Sequence, residues 1–315
     1  MVYRLAKKGS EWKETILHNF NSFNGHNDGC ISIGAVQVTG FLIFDKAGNL
    51  YGTTNQGGGG DSNFFCNNGC GTVFQMTPNQ NGTWKERVLH VFPHSGSSAD
   101  GSNPVAGLLM DGSGNLYGST FLGGPAGRGT IFRLAPGAKG VWQETILFAF
   151  PNNSLLYPSG ALVMDKSRNL YGTSGGSNCS SCAGVVFELT PTAQGPWKET
   201  DIHRFNWMKS HDGVFPSGLV MDASSNLYGT TEFGGGQGTD ICGNQGGCGA
   251  VYKLSPGANG TWTEQILFGF DHGPDGGLPL DDRLVMDAAG TLYGTTFMGG
   301  IQNPTEVGVV FKVTP

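Results

Sequence analysis

Charge is scarce in this chain: Asp, Glu, Lys and Arg make up only 13% of its 315 residues, about half the ~25% of an ordinary soluble domain. The 18 Lys and Arg form no cluster and the formal net charge is −6. That balance excludes the basic stripe by which proteins hold nucleic acid or an anionic membrane, so neither is expected as a partner. No run of about 18 apolar residues is present to cross a bilayer as a helix. The opening Met1-Val2-Tyr3-Arg4-Leu5 reads as repeat sequence and not as a signal peptide. Also missing is any 3.6-residue apolar period, which removes amphipathic helices.

Glycine, by contrast, supplies 54 residues, more than twice the ~7% norm, and implies many tight turns. One phrase returns five times: Asn-Leu-Tyr-Gly at 49–52, 115–118, 169–172 and 226–229, and Thr-Leu-Tyr-Gly at 291–294. Recurrence every 54 to 66 residues identifies one supersecondary unit copied in tandem. Length alone suggests about two domains, but an array overrides that prior and a single domain over 1–315 is expected.

Each copy divides into four segments. An apolar run ending in Asp45, Asp111, Asp165, Asp222 or Asp287 reads as strand A, buried on both faces. The Leu-Tyr-Gly phrase is strand B, joined to A by a tight hairpin. After a glycine-rich loop, strand C carries Val73-Phe74, Ile131-Phe132, Val186-Phe187, Val251-Tyr252 or Val310-Phe311 and stops at a proline. Strand D holds Trp12 and Glu14, Trp84 and Glu86, Trp142 and Glu144, Trp197 and Glu199, or Trp262 and Glu264, and ends in Phe. Four short antiparallel strands per copy predict an all-β, five-bladed β-propeller, whose radial closure hides sheet edges. Blades are expected at about 40–92, 107–150, 160–205, 217–270 and 283–315, the last closed by the N-terminal strand within 1–20.

The progression Asn-Leu-Tyr-Gly-Thr-Thr at 49–54, Gly-Gly at 57–58 and Gly-Thr-Val-Phe at 71–74 resembles the Gloeo/Verruco (GloVer) extracellular tandem repeat, and does so in every copy. The A-to-B part is also similar to NHL blades. Ser174 in the third copy and Thr291 in the fifth depart from the pattern. The resemblance implies a propeller on a secreted or cell-surface protein and offers no catalytic residue to transfer.

Departures from the repeat are where function is sought. Val2, Tyr3, Arg4 and Leu5 form a sixth copy of strand C, surplus to five blades. It is read as a local fifth strand, as a frayed segment or cut from a longer array, or as an edge that pairs with another molecule. Length varies in the B–C and D–A loops, which in an up-and-down blade share one face, the usual place for binding loops. Cys66 with Cys70, Cys179 with Cys182, and Cys242 with Cys248 each lie in one B–C loop and read as loop-stapling disulfides of an oxidising compartment, with metal ligation as the alternative. Cys30 is left over, either a buried thiol or an intermolecular bridge.

The repeated aspartates read as turn acceptors. Glu14 and its equivalents, and His18, His90 and His203 on strand D, recur too often to supply one unique acid or base. In four D–A loops a His precedes Asp-Gly: His26 with Asp28, His94 with Asp100, His211 with Asp212 and His272 with Asp275. The pairing is read first as a turn signal. No metal or cofactor is assigned; Asp271 and Asp275, with Asp281 and Asp282, form the one acidic cluster, a Ca²⁺ candidate or a solvated loop. Phe64, Phe65, Phe121, Phe233 and Phe297 near B–C loops, with Tyr157 and Trp207 in D–A loops, supply flat apolar surface beside amide groups, as sugar recognition requires, or else pack between blades. Asn81, Asn152, Asn178 and Asn259 begin Asn-Xaa-Ser/Thr acceptor sites. The expected function is a non-enzymatic, extracellular or cell-surface interaction module, self-associating through residues 2–5 or Cys30. A carbohydrate-binding propeller, with a glycan or a surface protein as partner, is the alternative. A glycosidase or lyase stands third, since it needs non-repeated carboxylates.

Overall fold

The computed structural model describes residues 1–20, 40–58, 69–93, 99–152, 156–176, 183–193, 195–206, 212–236, 242, 246–271, 273–279, 284–300 and 308–315. Two compact units divide the chain, Met1–Ile146 and Leu147–Pro315. The fold is all-β, a five-bladed β-propeller whose antiparallel sheets follow the copies in order.

A hairpin of β1 (Val2–Lys8) and β2 (Glu11–His18) precedes the first sheet, β3 (Ile43–Phe44), β4 (Leu50–Thr54), β5 (Thr72–Pro78) and β6 (Trp84–Val91). The second comprises β7 (Gly101–Pro104), β8 (Leu109–Met110), β9 (Leu116–Gly123), β10 (Thr130–Pro136) and β11 (Trp142–Ala149). The third has β12 (Leu156–Pro158), β13 (Val163–Met164), β14 (Leu170–Gly176), β15 (Val185–Thr190) and β16 (Lys198–Arg204). The fourth has β17 (Gly213–Met221), β18 (Leu227–Gly234), β19 (Ala250–Pro256) and β20 (Trp262–Gly269), and the last has β21 (Val285–Met286), β22 (Leu292–Thr295) and β23 (Val310–Val313).

Two features differ from expectation. Strand A begins earlier than its apolar run, because Gly101–Pro104 pairs with the far half of β9 and Leu156–Pro158 with that of β14. These Gly- and Pro-containing stretches have turn composition, but the long neighbouring strand supplies a ladder that overrides it. The run itself is only partly covered, and Phe44 is 66% exposed. Second, β2, expected to close the last blade, pairs with β1 from Lys8↔Glu11 to Val2↔His18 with a bulge between Val2 and Tyr3, and the sheet β21-β22-β23 has three strands among the described residues. A two-residue turn with Gly9 at φ 65° joins β1 to β2, and so short a loop makes local pairing cheaper in entropy than a long-range one.

The recurrent phrase has a packing explanation. Gly52, Gly118 and Gly172 lie directly opposite Phe74, Phe132 and Phe187 on strand C. A Cβ on Gly52 would stand 2.8 Å from Phe74 Cζ, and one on Gly118 or Gly172 2.5 Å from the Cζ of Phe132 or Phe187. The ring therefore occupies the space a side chain would need, and glycine and aromatic recur together.

Consecutive sheets are latched through their backbones. The amide of Asn103 donates to the Cys70 carbonyl (2.7 Å), that of Phe215 to Ala183 (2.6 Å) and that of Leu278 to Cys248 (2.7 Å). All three donors hold left-handed φ, at 55°, 57° and 53°, just before Pro104, Pro216 and Pro279. Such a conformation in a residue bearing a side chain costs on the order of 1 kcal/mol and persists where surrounding contacts impose it.

Candidate functional site

The repeated aspartates form one polar box per copy. Asp45 Oδ1 accepts the amides of Ala47 and Asn49 (both 2.9 Å), while Oδ2 accepts Asn49 Nδ2 (2.7 Å) and the Tyr51 hydroxyl (3.0 Å). Asp111 and Asp222 repeat the arrangement with Asn115 and Tyr117, and with Asn226 and Tyr228. Burial alone would raise the Asp45 carboxyl, but the bonds from Asn49, Tyr51 and Ala47 outweigh it and hold it below the ordinary value. Burial and the Asp45 carboxylate together push the Tyr51 phenol up to about 12. This box is turn structure, as the sequence suggests. It also explains Asn and Tyr in the phrase, both of which donate to the same carboxylate.

A different polar group sits where one copy meets the next. Strand β6 carries His90, the residue just before β7 is Asp100, and β11 carries Glu144. His90 Nε2 stands 3.3 Å from Asp100 Oδ2 and 3.6 Å from Glu144 Oε1. The same constellation recurs in the second unit, where His203 Nε2 on β16 lies 3.8 Å from Asp212 Oδ1 and 3.5 Å from Glu264 Oε1 on β20. In both groups the ligand-type atoms lie within 4.8 Å of one another. Backbone bonds aim the aspartates: Asp100 Oδ1 accepts the Gly101 amide (2.7 Å), and Asp212 accepts those of Gly213 (3.0 Å) and Asn206 (2.9 Å). Burial, followed by the charge and hydrogen bond of Asp100, pushes Glu144 up to about 9. Two carboxyls this close cannot both ionise freely in a poorly hydrated space.

The histidines also pack. His90 stacks edge-on against Phe92 (4.7 Å between centroids) and His203 against Phe205 (4.5 Å). Other copies carry Phe148 and Phe268 at this strand position, each on the following Phe at 5.1 Å. Near Phe148 the conserved-register glutamate, Glu199, faces Asp201, which is ion-paired with Arg204. Burial, then Asp201, pushes Glu199 up to about 7, with Arg204 opposing.

The structure places the other sequence candidates as follows. Cys242 and Cys248 are bridged, and Cys70 is disulfide-bonded. Cys30, Cys66, Cys179, Cys182, Phe64, Phe65, Trp207, Asn178, His26, Asp28, His94, His211, His272, Asp281 and Asp282 also lie outside them. Tyr157 belongs to β12 rather than to a loop, and Phe233 belongs to β18, where it packs on Phe215 (6.2 Å). Phe121 and Phe297 remain exposed. Asn81, Asn152 and Asn259 are exposed as well. Asp271 faces Asp275, and burial, then the hydrogen bond and charge of Asp271, pushes Asp275 up to about 6. Among the described residues, the histidines that reach Asp100 and Asp212 are His90 and His203 on strand D. The sequence carries a partial signal: Asp stands four residues before the proline after both histidines, as in Asp100/Pro104 and Asp212/Pro216, and Phe148 is followed by Ser154, but Phe268 is followed by Asp275/Pro279, so His and Asp must be read together.

Comparison with known proteins gives a family. A model of the Gloeobacter/Verrucomicrobia repeat matches residues 37–241. No curated protein matches in sequence. Among solved structures the chain is similar to a gluconolactonase of Xanthomonas campestris (TM-score 0.48, 13% identity, 87% of this chain and 71% of that one). It is also similar to a family 117 glycoside hydrolase of Zobellia galactanivorans (0.46, 12%, 99% and 88%) and an alpha-L-arabinofuranosidase from Lactobacillus brevis (0.44, 10%, 86% and 88%). The expectation that the chain is not an enzyme is corrected on this finding, because propellers of similar architecture include enzymes. At these identities and TM-scores the likeness assigns no reaction.

Proposed function

The chain belongs to the Gloeobacter/Verrucomicrobia repeat family, and from that premise we propose that it is an extracellular interaction module that associates with a second copy of itself through its terminal strands. One observation carries this reading. Tyr3 and Leu5 on β1 are each 52% exposed, whereas their equivalents Phe74, Phe132, Phe187 and Tyr252, and Met76, Leu134, Leu189 and Leu254, are 2% exposed or less. Inside the chain a strand of this sequence is covered by a strand B on one edge and by packed side chains on its faces. β1 has β2 on one edge and no second ladder among the described residues. At the other end Val310 on β23, again a strand C, is 79% exposed. An open strand edge with apolar side chains is a template for strand addition, and a second copy supplies a strand of the same kind. The Cys242–Cys248 bridge and the bonded Cys70 support an oxidising location.

Light scattering on the purified chain over a dilution series tests the reading. The wild type is expected to exceed monomer mass in a concentration-dependent way, and Tyr3→Asp/Leu5→Asp to remain monomeric with unchanged circular dichroism. A wild type that stays monomeric throughout, or a variant that associates equally well, overturns it.

A further inference from the structure

We propose that the two groups His90/Asp100/Glu144 and His203/Asp212/Glu264 each bind a divalent transition-metal ion of the zinc class, using one imidazole nitrogen and two carboxylate oxygens and leaving a fourth position for water. The inference is independent of self-association.

The first support is that the fold does not need an imidazole there. What the position requires is a flat ring set edge-on against the phenylalanine two residues on, and Phe148 and Phe268 meet that requirement with a plain benzene ring. At His90 and His203 the ring carries nitrogens as well, and in both cases Nε2 is sealed from solvent without a hydrogen-bond partner. Glu144 Oε1 is in the same state. A buried polar atom left unpaired costs on the order of 1–3 kcal/mol, so two such imidazole nitrogens, each set against a pair of carboxylate oxygens, call for something between them.

Spacing identifies what would fit. Ligands about 2.0–2.2 Å from a tetrahedral zinc ion lie roughly 3.3–3.6 Å from each other. The imidazole-to-carboxylate distances are 3.3 and 3.6 Å in one group and 3.8 and 3.5 Å in the other. The donor set narrows the ion further. Ca²⁺ takes six to eight oxygens and Mg²⁺ keeps an octahedral shell of oxygen and water, whereas a neutral imidazole with carboxylates suits Zn²⁺ and its first-row neighbours. Outer bonds from Gly101, Gly213 and Asn206 hold the aspartates in place, the usual support behind metal ligands. Finally, the geometry occurs twice, in two units, with each donor on the corresponding element. Because the donors come from two consecutive sheets, a bound ion ties those sheets together.

Protein stripped with chelator is loaded with Zn²⁺, passed over a desalting column and analysed for metal per chain. His90→Phe and His203→Phe place at each site the residue that other copies already carry, so the fold is kept. Each single variant is expected to retain one equivalent less than wild type, and the double variant two less. Added Zn²⁺ is expected to raise the melting temperature of the wild type and not of the double variant. Glu144→Gln/Glu264→Gln provides a second pair that leaves both rings untouched, and it is expected to lose the visible absorption of tetrahedral Co²⁺ that the wild type acquires. Equal Zn²⁺ retention by wild type and the double variant, no retention by wild type, or an unaltered Co²⁺ spectrum in the glutamine pair overturns the proposal.

Discussion

Two junctions built from the same repeat diverge at a single strand position. Where His90 leaves β6 it meets Asp100 and Glu144; where Phe148 leaves β11 it stacks on Phe150, and the neighbouring glutamate, Glu199, faces Asp201 instead. Both junctions keep the ring-on-ring contact, so the scaffold is satisfied in either case. The difference teaches that strand D has two layers of meaning: an aromatic shape common to all copies, and a polar chemistry present only in some. Glutamate recurs throughout, yet its surroundings do not.

The strongest way to break the comparison is to remove the shared ring. Phe148→Ala is expected to destabilise by about 2 kcal/mol, below the range for a fully buried aromatic because the ring is only half-buried, measurable by urea unfolding. A smaller effect separates the two junctions. In metal-free protein His90→Phe is expected to leave stability unchanged or raise it by about 1 kcal/mol, because an apolar ring of similar shape replaces a buried group whose polar atom lacks a bond. A loss of more than that would mean the imidazole is needed by the fold itself. The smallest effect concerns pH. Glu199 has its folded value raised to about 7 from 4.5, so the folded state holds the proton more tightly than the unfolded chain. That contribution is fully present below about pH 4.5 and fades as pH rises through 7. Glu199→Gln is expected to flatten this segment of the stability profile, read from melting temperatures in a buffer series.

The repeat, the strand order and the turn role of Asp45 and its equivalents were legible because each depends on residues within about ten positions of one another. Leu-Tyr-Gly and Val-Phe could be seen to recur together, although only the opposed register of Gly52 and Phe74 explains it. The His–Asp–Glu groups were not legible for a related reason. Their donors come from two copies, with His90 brought to Asp100 and Glu144 only by the docking of consecutive sheets, and a periodic pattern makes each of them look like scaffold. The outer pieces of strand A escaped detection because Gly101–Pro104 has the composition of a turn. Exposure of Tyr3 and Leu5 was equally hidden, since the letters of β1 match those of strands whose side chains are fully covered.

The amide-to-carbonyl latches at Asn103, Phe215 and Leu278 make the chain mechanically serial. Each takes its donor from one sheet and its acceptor from the sheet before, so under tension a rupture at one latch frees a single copy and leaves the next latch to bear the load. A copy of 54 to 66 residues adds about 180–240 Å of contour when extended. Stretching would thus proceed in steps of that size.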